Sequence, residues 1–457
     1  MNEYRFDNKK VAFCTLGCKV NSYESDAMEE LFKSAGCEIV DFEDKADIYV
    51  INTCSVTNMA DRKSRQMLHK AKKNNPESIV VATGCYVQTA KDEVLEDMSV
   101  DLVIGNNQKS GIIELIAQYI NNIELNSKVS DISKKCEYEN MMISSTAEKT
   151  RAYIKIQDGC NQFCTYCIIP YARGRIRSRA HDDIIKEIKN LEEKGYKEVV
   201  LTGIHISSYG LDFAEDEEST LTIAKKFRPE YLLKLVKDIA SIDGIKRIRL
   251  GSLEPRVIEE EFIRELASVD KVCPQFHLSL QSGCDETLKR MNRKYSAKEY
   301  EEKCCIIRKF YDNPAITTDV IVGFPGETDE EFSKTLEFLK RINLAKIHVF
   351  KYSMRKGTVA ARMANQVPDN IKTLRSKMLI ELTTKQHEAY MESLLDKKQL
   401  ILLEENVEIN GVKYNIGYNE QYVRFAIKDI NELSNELVLV KPIKILNEEF
   451  IEAIKTM

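Results

Sequence analysis

Three cysteines, Cys160, Cys164 and Cys167, stand close together in this 457-residue chain. Their C-x3-C-x2-C spacing directly follows a predicted strand at residues 153–157. Three thiolates can hold three irons of a 4Fe–4S cluster and leave the fourth iron open to another ligand. An open iron can bind the amino and carboxylate groups of S-adenosylmethionine, which an electron from the cluster then cleaves to a carbon radical. Zinc prefers four ligands in C-x2-C pairs, so the spacing favours the cluster.

A second set of three cysteines, Cys18, Cys54 and Cys85, is widely spaced but shares one kind of position. Each follows a predicted strand of the N-terminal region. The carboxyl ends of neighbouring parallel strands meet at one edge of an open α/β sheet, where such sheets bind ligands. The three thiols could therefore ligate a second 4Fe–4S cluster, again with one iron free. The alternative is three small buried residues at packed loops, because free cysteine is among the most buried residue types.

The elements that position the second set lie in residues 1–121, which we expect to form an N-terminal domain. Short β-branched, apolar runs at residues 11–15, 48–52 and 79–82 alternate with segments of helical periodicity. This alternation predicts a small parallel α/β sheet. Residues 122–150 are polar and contain few large apolar side chains, so we interpret them as a linker.

The first set lies in a region that we expect to span residues 151–375. Six strand-like runs alternate there with helical segments, at residues 153–157, 198–202, 247–251, 276–280, 318–322 and 346–352. Six βα units predict an incomplete TIM-type barrel whose chemistry lies at the C-terminal ends of the strands. Residues 376–457 then predict a helical connection followed by a small antiparallel β-barrel.

Composition restricts the location and the partners of the protein. Apolar residues make up 43% and charged residues 30% of the chain, as in globular proteins outside membranes. No apolar run approaches the roughly 18 residues that span a membrane, and the N-terminus has no signal-peptide core, so we expect a cytoplasmic protein. The net charge of −5 argues against non-specific binding of nucleic acid.

Three stretches of the sequence resemble the radical S-adenosylmethionine methylthiotransferases: residues 15–21 (TLGCKVN), 52–57 (NTCSVT) and 159–174 (GCNQFCTYCIIPYARG). The small C-terminal β domain occupies the place of the RNA-contacting TRAM domain of that family. The resemblance extends over nearly the whole chain.

Residues 17–21 (GCKVN) and 201–210 (LTGIHISSYG) are similar to the branch of the family that acts on threonylcarbamoyl-adenosine in tRNA. The resemblance implies two 4Fe–4S clusters and radical activation of C2 of adenosine 37, next to the anticodon. Sulfur then joins C2, and a second S-adenosylmethionine supplies the methyl group. It also implies an electron donor such as flavodoxin or ferredoxin, a tRNA anticodon stem-loop as partner, and a monomer.

Five residues at predicted strand ends are candidates for binding S-adenosylmethionine: Gly203, Glu254, Gln281, Asp319 and Gly323. Radical enzymes commonly hold the adenine at a strand end like that of Asp319 and Gly323. Many also carry Gly-Gly-Glu after the second strand, where this chain has Thr-Gly-Ile-His around Gly203. Glu254 and Gln281 are substitutes by position, although polar residues at strand ends also cap loops. No catalytic residue is assigned beyond the cluster ligands.

Candidate RNA contacts follow the first triplet. Arg173, Arg175, Arg177 and Arg179 alternate there, and residues 151–180 carry six basic side chains against one acidic side chain. This local charge favours capture of phosphate or carboxylate, although a charge run is also typical of a solvated face.

Two further candidates lie in the C-terminal domain. Tyr414 and Tyr422 could stack on unpaired bases, although alternating aromatic residues in strands are also typical of a core.

Two alternatives remain open at this stage. The same chemistry could act on isopentenyl-adenosine of tRNA or on an aspartate of a ribosomal protein. In a different class, the cysteines could bind zinc and stabilise a non-catalytic RNA-binding protein.

Overall fold

The computed structural model describes residues 4–121, 123, 127–134, 136–145, 150–213, 227–428 and 434–456. The N-terminal strands are β1 Lys10–Thr15, β2 Glu38–Val40, β3 Ile48–Thr53, β4 Ile79–Gly84, β5 Leu102–Ile104 and β6 Ser127–Lys128. They form one parallel sheet in the order β2-β1-β3-β4-β5-β6. Every residue of β3 is buried because helices cover both faces of the sheet.

The helices of this domain are α1 Lys19–Ser34, α2 Asn58–Asn74, α3 Cys85–Thr89, α4 Lys91–Leu95 and α5 Ile112–Ile120. β1, β3 and β4 are neighbours in the sheet, and α1, α2 and α3 each begin a few residues after one of them. The prediction of a small parallel α/β sheet is confirmed.

The central strands are β7 Arg151–Asp158, β8 Arg177–Ser178, β9 Glu198–Gly203, β10 Arg247–Leu250, β11 Ser252–Leu253, β12 Gln275–Leu278, β13 Ala315–Val322 and β14 Lys346–Lys351. They pair as β10-β9-β7-β8 and β11-β12-β13-β14, and only β7 and β8 are antiparallel. A parallel bridge between Ile248 and Val272 links the two sheets. Since β14 and β8 are end strands of the described sheets, the barrel is open, as predicted.

The helices around these strands are α6 Ile169–Arg173, α7 His181–Glu193, α8 Pro229–Ala240, α9 Glu260–Ala267, α10 Asp285–Arg290, α11 Ala297–Phe310 and α12 Asp329–Ile342. α11 and α12 both begin with a capping box, in which Ser296 and Thr328 exchange hydrogen bonds with Glu299 and Glu331. Such caps satisfy backbone N–H groups that have no partner inside the helix.

The C-terminal region begins with the long helix α13 Asp369–Glu392, so the predicted boundary between residues 375 and 376 falls inside a helix. The strands that follow are β15 Gln399–Ile409, β16 Val412–Tyr418, β17 Arg424–Ile427, β18 Leu437–Ile445 and β19 Phe450–Lys455. They close into a barrel in the order β15-β16-β17-β19-β18. Its pairs are antiparallel except for β17 and β19, and β19 was not expected from the sequence.

A buried charge network attaches the C-terminal barrel to the central domain. Glu198 is fully buried and pairs with Arg151 and with Arg249 at 2.8 Å. Arg151 also pairs with Glu404, and Arg247 donates to the carbonyl oxygens of Leu400 and Tyr418. Since Arg151 and Arg247 begin β7 and β10, the C-terminal barrel packs against the N-terminal ends of the central strands.

The segment predicted as a linker, residues 122–150, packs against both of its neighbours where it is described. The Tyr23 hydroxyl donates to the carbonyl oxygen of Met141 at 2.6 Å, and the backbone N–H of Ile143 donates to Glu187 at 2.6 Å. Residues 122, 124–126, 135 and 146–149 lie outside the described part of the chain.

In the described residues, no helix is both long and apolar enough to cross a membrane.

Candidate active site

The first triplet lies on the loop after β7, and a glycine sets the shape of that loop. Gly159 has φ +70°, and a Cβ there would lie 1.8 Å from the carbonyl oxygen of Arg175. Only glycine fits such a backbone contact. The N–H of Cys160 donates to the carbonyl oxygen of Gly174 at 3.0 Å, and Thr165 Oγ1 donates to that of Arg290 at 2.8 Å. The loop is therefore held from both sides.

Arg293 links the first triplet to a candidate cofactor residue. Its Nη1 donates to Cys164 Sγ at 3.3 Å, and its Nη2 lies 3.1 Å from Glu254 Oε2. Burial opposes ionisation of Glu254, but Arg293, His205 and Arg256 outweigh it and lower its pKa to about 2. Glu254 is thus a buried carboxylate at the radical site, held by three cationic or polar neighbours.

Burial affects the thiols of the first triplet in the opposite direction. It raises the pKa of Cys160, and it raises that of Cys167 to about 12. Neighbouring thiols of the triplet add to both shifts, so the three sulfurs lie close enough to interact. Since only thiolates bind metal, cluster binding at this site must release protons.

The sheet brings the second triplet together as the strand order predicts. Cys18 is the N-cap residue of α1, and Cys85 is the first residue of α3. Cys54 directly follows β3. A Cβ at Gly17, whose φ is +106°, would lie 2.8 Å from Cys54 Sγ. Burial raises the pKa of Cys54 to about 11, and the neighbouring thiols of Cys85 and Cys18 add to this rise. All three sulfurs therefore face the same point at one edge of the sheet.

Arg173 reaches this second triplet from the central domain. Its Nε donates to Cys85 Sγ at 3.3 Å. Burial raises the pKa values of Cys18 and Cys54, and the positive charge of Arg173 opposes this rise. Arg173 ends α6, which begins two residues after Cys167, and α6 packs against α3. The two triplets are thus neighbours across the contact between the domains.

Buried charges around Arg173 are unbalanced. Glu24 and Asp158 are the two carboxylates in direct ion pairs there, with four cationic side chains that are at most 4% exposed: Lys109, Lys155, Arg173 and Arg177. Glu139 interacts with Lys109 and Lys155 at longer range, so positive charge still exceeds negative charge. A buried surplus charge is costly without a counterion. Three thiolates that carry an iron–sulfur cluster supply negative charge at this place, so the residues fit the cluster.

The described residues contain no group of three His, Cys, Asp or Glu side chains arranged to hold a single metal ion. A 4Fe–4S cluster instead places each thiolate on a separate iron.

A cavity of about 730 Å³ opens beside these sites, and residues of all three domains line it. Its wall includes Cys18, Lys19, Gly203, Asp319, His348 and Tyr422. The Lys19 ammonium lies 5.3 Å from the ring centroid of Tyr153 and 5.7 Å from that of Tyr422. The cavity is large enough for a modified nucleoside and places it next to Cys18.

The candidate contacts of S-adenosylmethionine are distributed around this cavity. Gly203 and Asp319 line it, whereas Glu254, Gln281 and Gly323 do not. Gln281 has φ +73° and bridges β13 through hydrogen bonds to Asp319 and from Ile321.

Asp319 and Gly323 differ in their surroundings. Asp319 Oδ2 lies 3.3 Å from His277 Nε2. The N–H of Gly323 donates to Glu327 at 2.7 Å, and a Cβ at Gly323 would lie 2.3 Å from Lys372 Cγ. The strand end around Gly323 is thus a tightly packed turn.

Three of the four arginines predicted to contact RNA are internal. Arg173, Arg177 and Arg179 are buried, and Arg179 pairs with Glu187 at 2.5 Å. The reason is that buried carboxylates pair with these side chains: Glu24 and Asp158 with Arg173, Asp158 with Arg177, and Glu187 with Arg179. Arg175 is half-buried and stacks over the ring of Phe163, with its Cζ 4.6 Å from the ring centroid. Arg173, Arg177 and Arg179 are therefore not accessible to RNA, whereas a contact of Arg175 with RNA stays a prediction.

The two predicted tyrosines have different surroundings. Tyr414 is buried in a small core with Ile416 and Phe450, so its ring is not accessible for stacking on a base. It lies on an inward-facing position of β16. Tyr422 stacks on Tyr418 with 4.5 Å between ring centroids and lines the cavity.

Sequence reasoning missed Lys19, Glu24 and Arg293 as functional residues. Glu24 carried a signal, because it falls on the apolar face of α1 between Val20 and Met28, both of which are buried. A carboxylate on an apolar helix face must meet buried cations. Arg293 carried no such signal, since its partners are distant in sequence.

Comparison with protein families agrees with this architecture. The protein-family model described as "Radical SAM superfamily" matches residues 154–339, which form most of the open barrel. The model described as "Uncharacterized protein family UPF0004" matches residues 10–105, which contain all three cysteines of the second triplet.

Solved structures share the fold at low sequence identity. A radical S-adenosylmethionine methyltransferase, TsrM, from Kitasatospora setae, solved with cobalamin and a 4Fe–4S cluster, superposes with a TM-score of 0.54 at 13% identity, covering 75% of each chain. The cobalamin-dependent S-adenosylmethionine radical enzyme OxsB gives a TM-score of 0.52 at 9% identity, covering 84% of this chain and 56% of the other.

Closer relatives occur among characterised sequences. The threonylcarbamoyladenosine tRNA methylthiotransferase MtaB of Bacillus subtilis (strain 168) is 41% identical over 95% of this chain and 94% of its own length. The MtaB of Aquifex aeolicus (strain VF5) is 41% identical over 87% and 93%. A tRNA-2-methylthio-N(6)-dimethylallyladenosine synthase of Clostridium botulinum is 35% identical over 82% of each chain. The chain therefore belongs to the family of radical S-adenosylmethionine methylthiotransferases, enzymes that use 4Fe–4S clusters and S-adenosylmethionine to transfer a methylthio group to tRNA.

Proposed function

We propose that this enzyme converts threonylcarbamoyl-adenosine 37 of tRNA into its 2-methylthio derivative. Cys160, Cys164 and Cys167 hold the cluster that generates the radical. Cys18, Cys54 and Cys85 hold the cluster that presents sulfur. The observation that carries the proposal is the cavity that Cys18 of the second triplet lines together with Gly203 and Asp319 of the central barrel strands.

The chain's own residues prepare this cavity for the reaction. Cys160, Cys164 and Cys167 would hold a 4Fe–4S cluster, which with S-adenosylmethionine would supply radical chemistry for activation of C2. Arg293 orients Cys164 and Glu254, and we assign to Glu254 the amino group of S-adenosylmethionine. Gly203 and Asp319 contribute the wall that faces the substrate. The C-terminal barrel contributes Tyr418 and Tyr422 to the same wall.

The lining of the cavity supports the threonylcarbamoyl branch. The threonylcarbamoyl group ends in a carboxylate, whereas the isopentenyl group is apolar. Lys19 projects into the cavity beside Cys18, and His277, His348 and Lys346 add further nitrogen donors deeper in the barrel. A cationic site in a partly dehydrated cavity binds a carboxylate favourably. The MtaB relatives at 41% identity support the same branch.

The experiment uses the full-length enzyme, reconstituted without oxygen and supplied with a chemical reductant and S-adenosylmethionine. Two tRNA substrates are compared, one with threonylcarbamoyl-adenosine and one with isopentenyl-adenosine at the same position. Mass spectrometry of the nucleosides should show the 2-methylthio product on the first tRNA. Conversion of only the isopentenyl substrate would reject threonylcarbamoyl-adenosine as the substrate but would still show methylthiolation of tRNA. Conversion of neither tRNA would reject both the substrate and the methylthiolation reaction.

Mass spectrometry of nucleosides can also be applied to total tRNA from cells that lack the gene. Deletion of the gene should remove the 2-methylthio-threonylcarbamoyl nucleoside from total tRNA and leave its unmethylthiolated precursor. Persistence of the modified nucleoside at its normal level would show that another enzyme makes it.

A further inference from the structure

The hydrogen bond from Arg173 to Cys85 joins a side chain of the central barrel to a candidate cluster ligand of the N-terminal domain. We propose that Arg173 is a positioning residue that orients the Cys85 thiolate and raises the reduction potential of the cluster bound by the second triplet. This inference rests on the proposed assignment of Cys18, Cys54 and Cys85 as ligands.

The geometry of Arg173 is that of a donor directed at sulfur. Its Nε lies 3.3 Å from Cys85 Sγ, and its side chain is fully buried. Asn106 Nδ2 is a second, weaker donor to the same sulfur, at 3.7 Å. Hydrogen bonds to the sulfurs of an iron–sulfur cluster are one of the determinants of its reduction potential. They raise it because reduction adds negative charge, which the donor stabilises.

Hydrogen bonds of both terminal nitrogens hold the guanidinium of Arg173 in one orientation, and in this orientation the Nε–H points at Cys85 Sγ. Nη1 donates to Glu24 at 2.6 Å and to Asp158 at 3.2 Å. Nη2 donates to Asn21 Oδ1 at 2.6 Å and to Glu24 at 3.0 Å. A planar guanidinium can satisfy these partners simultaneously, whereas a lysine ammonium is a single point with three donors. Lysine at this position therefore keeps the charge but loses the geometry.

The contact also connects the two sites through one short helix, α6. Arg173 follows the first triplet by six residues and lies in the same short helix as Ile169, which lines the cavity. A change in the position of α6 therefore changes the donor to Cys85.

Arg293 provides a matched control within the chain. Its Nη1 lies 3.3 Å from Cys164 Sγ, and Glu254 anchors its Nη2 at 3.1 Å. The two arginines thus make the same kind of contact, each to one triplet.

The experiment measures the potential of each cluster separately in the full-length protein. The Cys160→Ala background retains the second cluster, and the Cys85→Ala background impairs the second cluster and retains the first. Arg173→Lys and Arg293→Lys are introduced into both backgrounds, the iron and acid-labile sulfide are counted, and each cluster is titrated with reductant and followed by electron paramagnetic resonance.

Arg173→Lys should lower the potential of the second cluster by at least about 59 mV, a tenfold change in a one-electron equilibrium. It should leave the first cluster unchanged, and Arg293→Lys should show the reverse pattern. Asn106→Ala, which removes the weaker donor, should shift the second cluster in the same direction by a smaller amount and serves if Arg173→Lys loses the cluster.

Two outcomes overturn different statements. Potentials of the second cluster that are unmoved in both Arg173→Lys and Asn106→Ala, at full cluster content, would reject the inference alone. Wild-type protein that binds iron and sulfide for only one cluster would reject the ligand assignment on which the inference rests.

Discussion

Lys19 of the N-terminal domain and Tyr422 of the C-terminal barrel meet inside the cavity of the central barrel, with the Lys19 ammonium 5.7 Å from the Tyr422 ring centroid. Tyr422 also lies under the guanidinium groups of Arg151 and Arg249, whose Cζ atoms are 4.9 and 4.8 Å from its centroid. One aromatic ring thus contacts cations from both other domains. The wall of the cavity is therefore built from residues of all three domains.

Tyr422→Ala should lower kcat/KM for the modified tRNA by about tenfold or more, because it removes a wall of the cavity and the ring on which Lys19 packs. Stacking of a base on an aromatic ring is worth about 1–3 kcal/mol. Tyr422→Phe keeps the ring and should stay within about threefold of wild type. Steady-state kinetics on both variants test this, and equal activity of Tyr422→Ala and wild type would contradict it.

Lys19→Met should change substrate preference rather than abolish the reaction. A charge-assisted hydrogen bond to the threonylcarbamoyl carboxylate is worth about 1.5–3 kcal/mol, so kcat/KM for that tRNA should fall by about tenfold to a hundredfold. Conversion of an isopentenyl-adenosine tRNA should not fall in parallel. Iron content serves as the control, since Lys19 is adjacent to Cys18. A parallel loss on both substrates would remove Lys19 from substrate recognition.

Substitutions in the two triplets should affect different steps of the reaction. Cys160→Ala should abolish cleavage of S-adenosylmethionine, because the cluster that supplies the electron is lost. Cys85→Ala should retain cleavage but insert no sulfur, so methionine and 5′-deoxyadenosine form without methylthiolated nucleoside. Product analysis by mass spectrometry, with iron counted per chain, distinguishes the variants. Full methylthiolation by Cys85→Ala would show that the second triplet is only structural.

Glu198→Gln should destabilise the protein at neutral pH by about 3–5 kcal/mol, because it removes the carboxylate that neutralises buried Arg249 and that shares Arg151 with Glu404. Burial opposes ionisation of Glu198, but Arg249, Arg151 and Arg247 outweigh it and lower its pKa to about 2. A lowered folded-state pKa means that this stabilisation is present above the unfolded pKa of about 4.3 and is lost as pH falls toward about 2.

Urea unfolding of wild type and Glu198→Gln at pH 7 and at pH 3.5 measures this dependence. The difference between the two proteins should shrink at the lower pH. A surface substitution such as Glu337→Gln, which affects only an exposed pair with Lys340, should show little difference at either pH. A pH-independent difference for Glu198→Gln would mean that the pair does not titrate as described.

Local patterns were sufficient to predict the elements that hold the cysteines. The β-branched runs at residues 48–52 and 198–202 became β3 Ile48–Thr53 and β9 Glu198–Gly203, because strands of parallel sheets are buried on both faces and read as continuous apolar runs. The position of Cys54 after its strand followed from the same pattern. The last strand, β19 Phe450–Lys455, was not expected, and it closes the barrel by pairing with the preceding strand β18 and, in parallel, with β17.

By itself the sequence determined the two cysteine triplets, the open barrel and the family, because ligand spacing and strand periodicity are local properties of the chain. Only the tertiary structure decided the roles of the charged residues. The basic segment around Arg173 predicts a side chain that is accessible to an anionic partner. In the structure, Arg173 is instead buried against Glu24 and Cys85. The reason is physical: the partner of a charge is set by the docking of domains, and docking brings together residues that no local pattern relates.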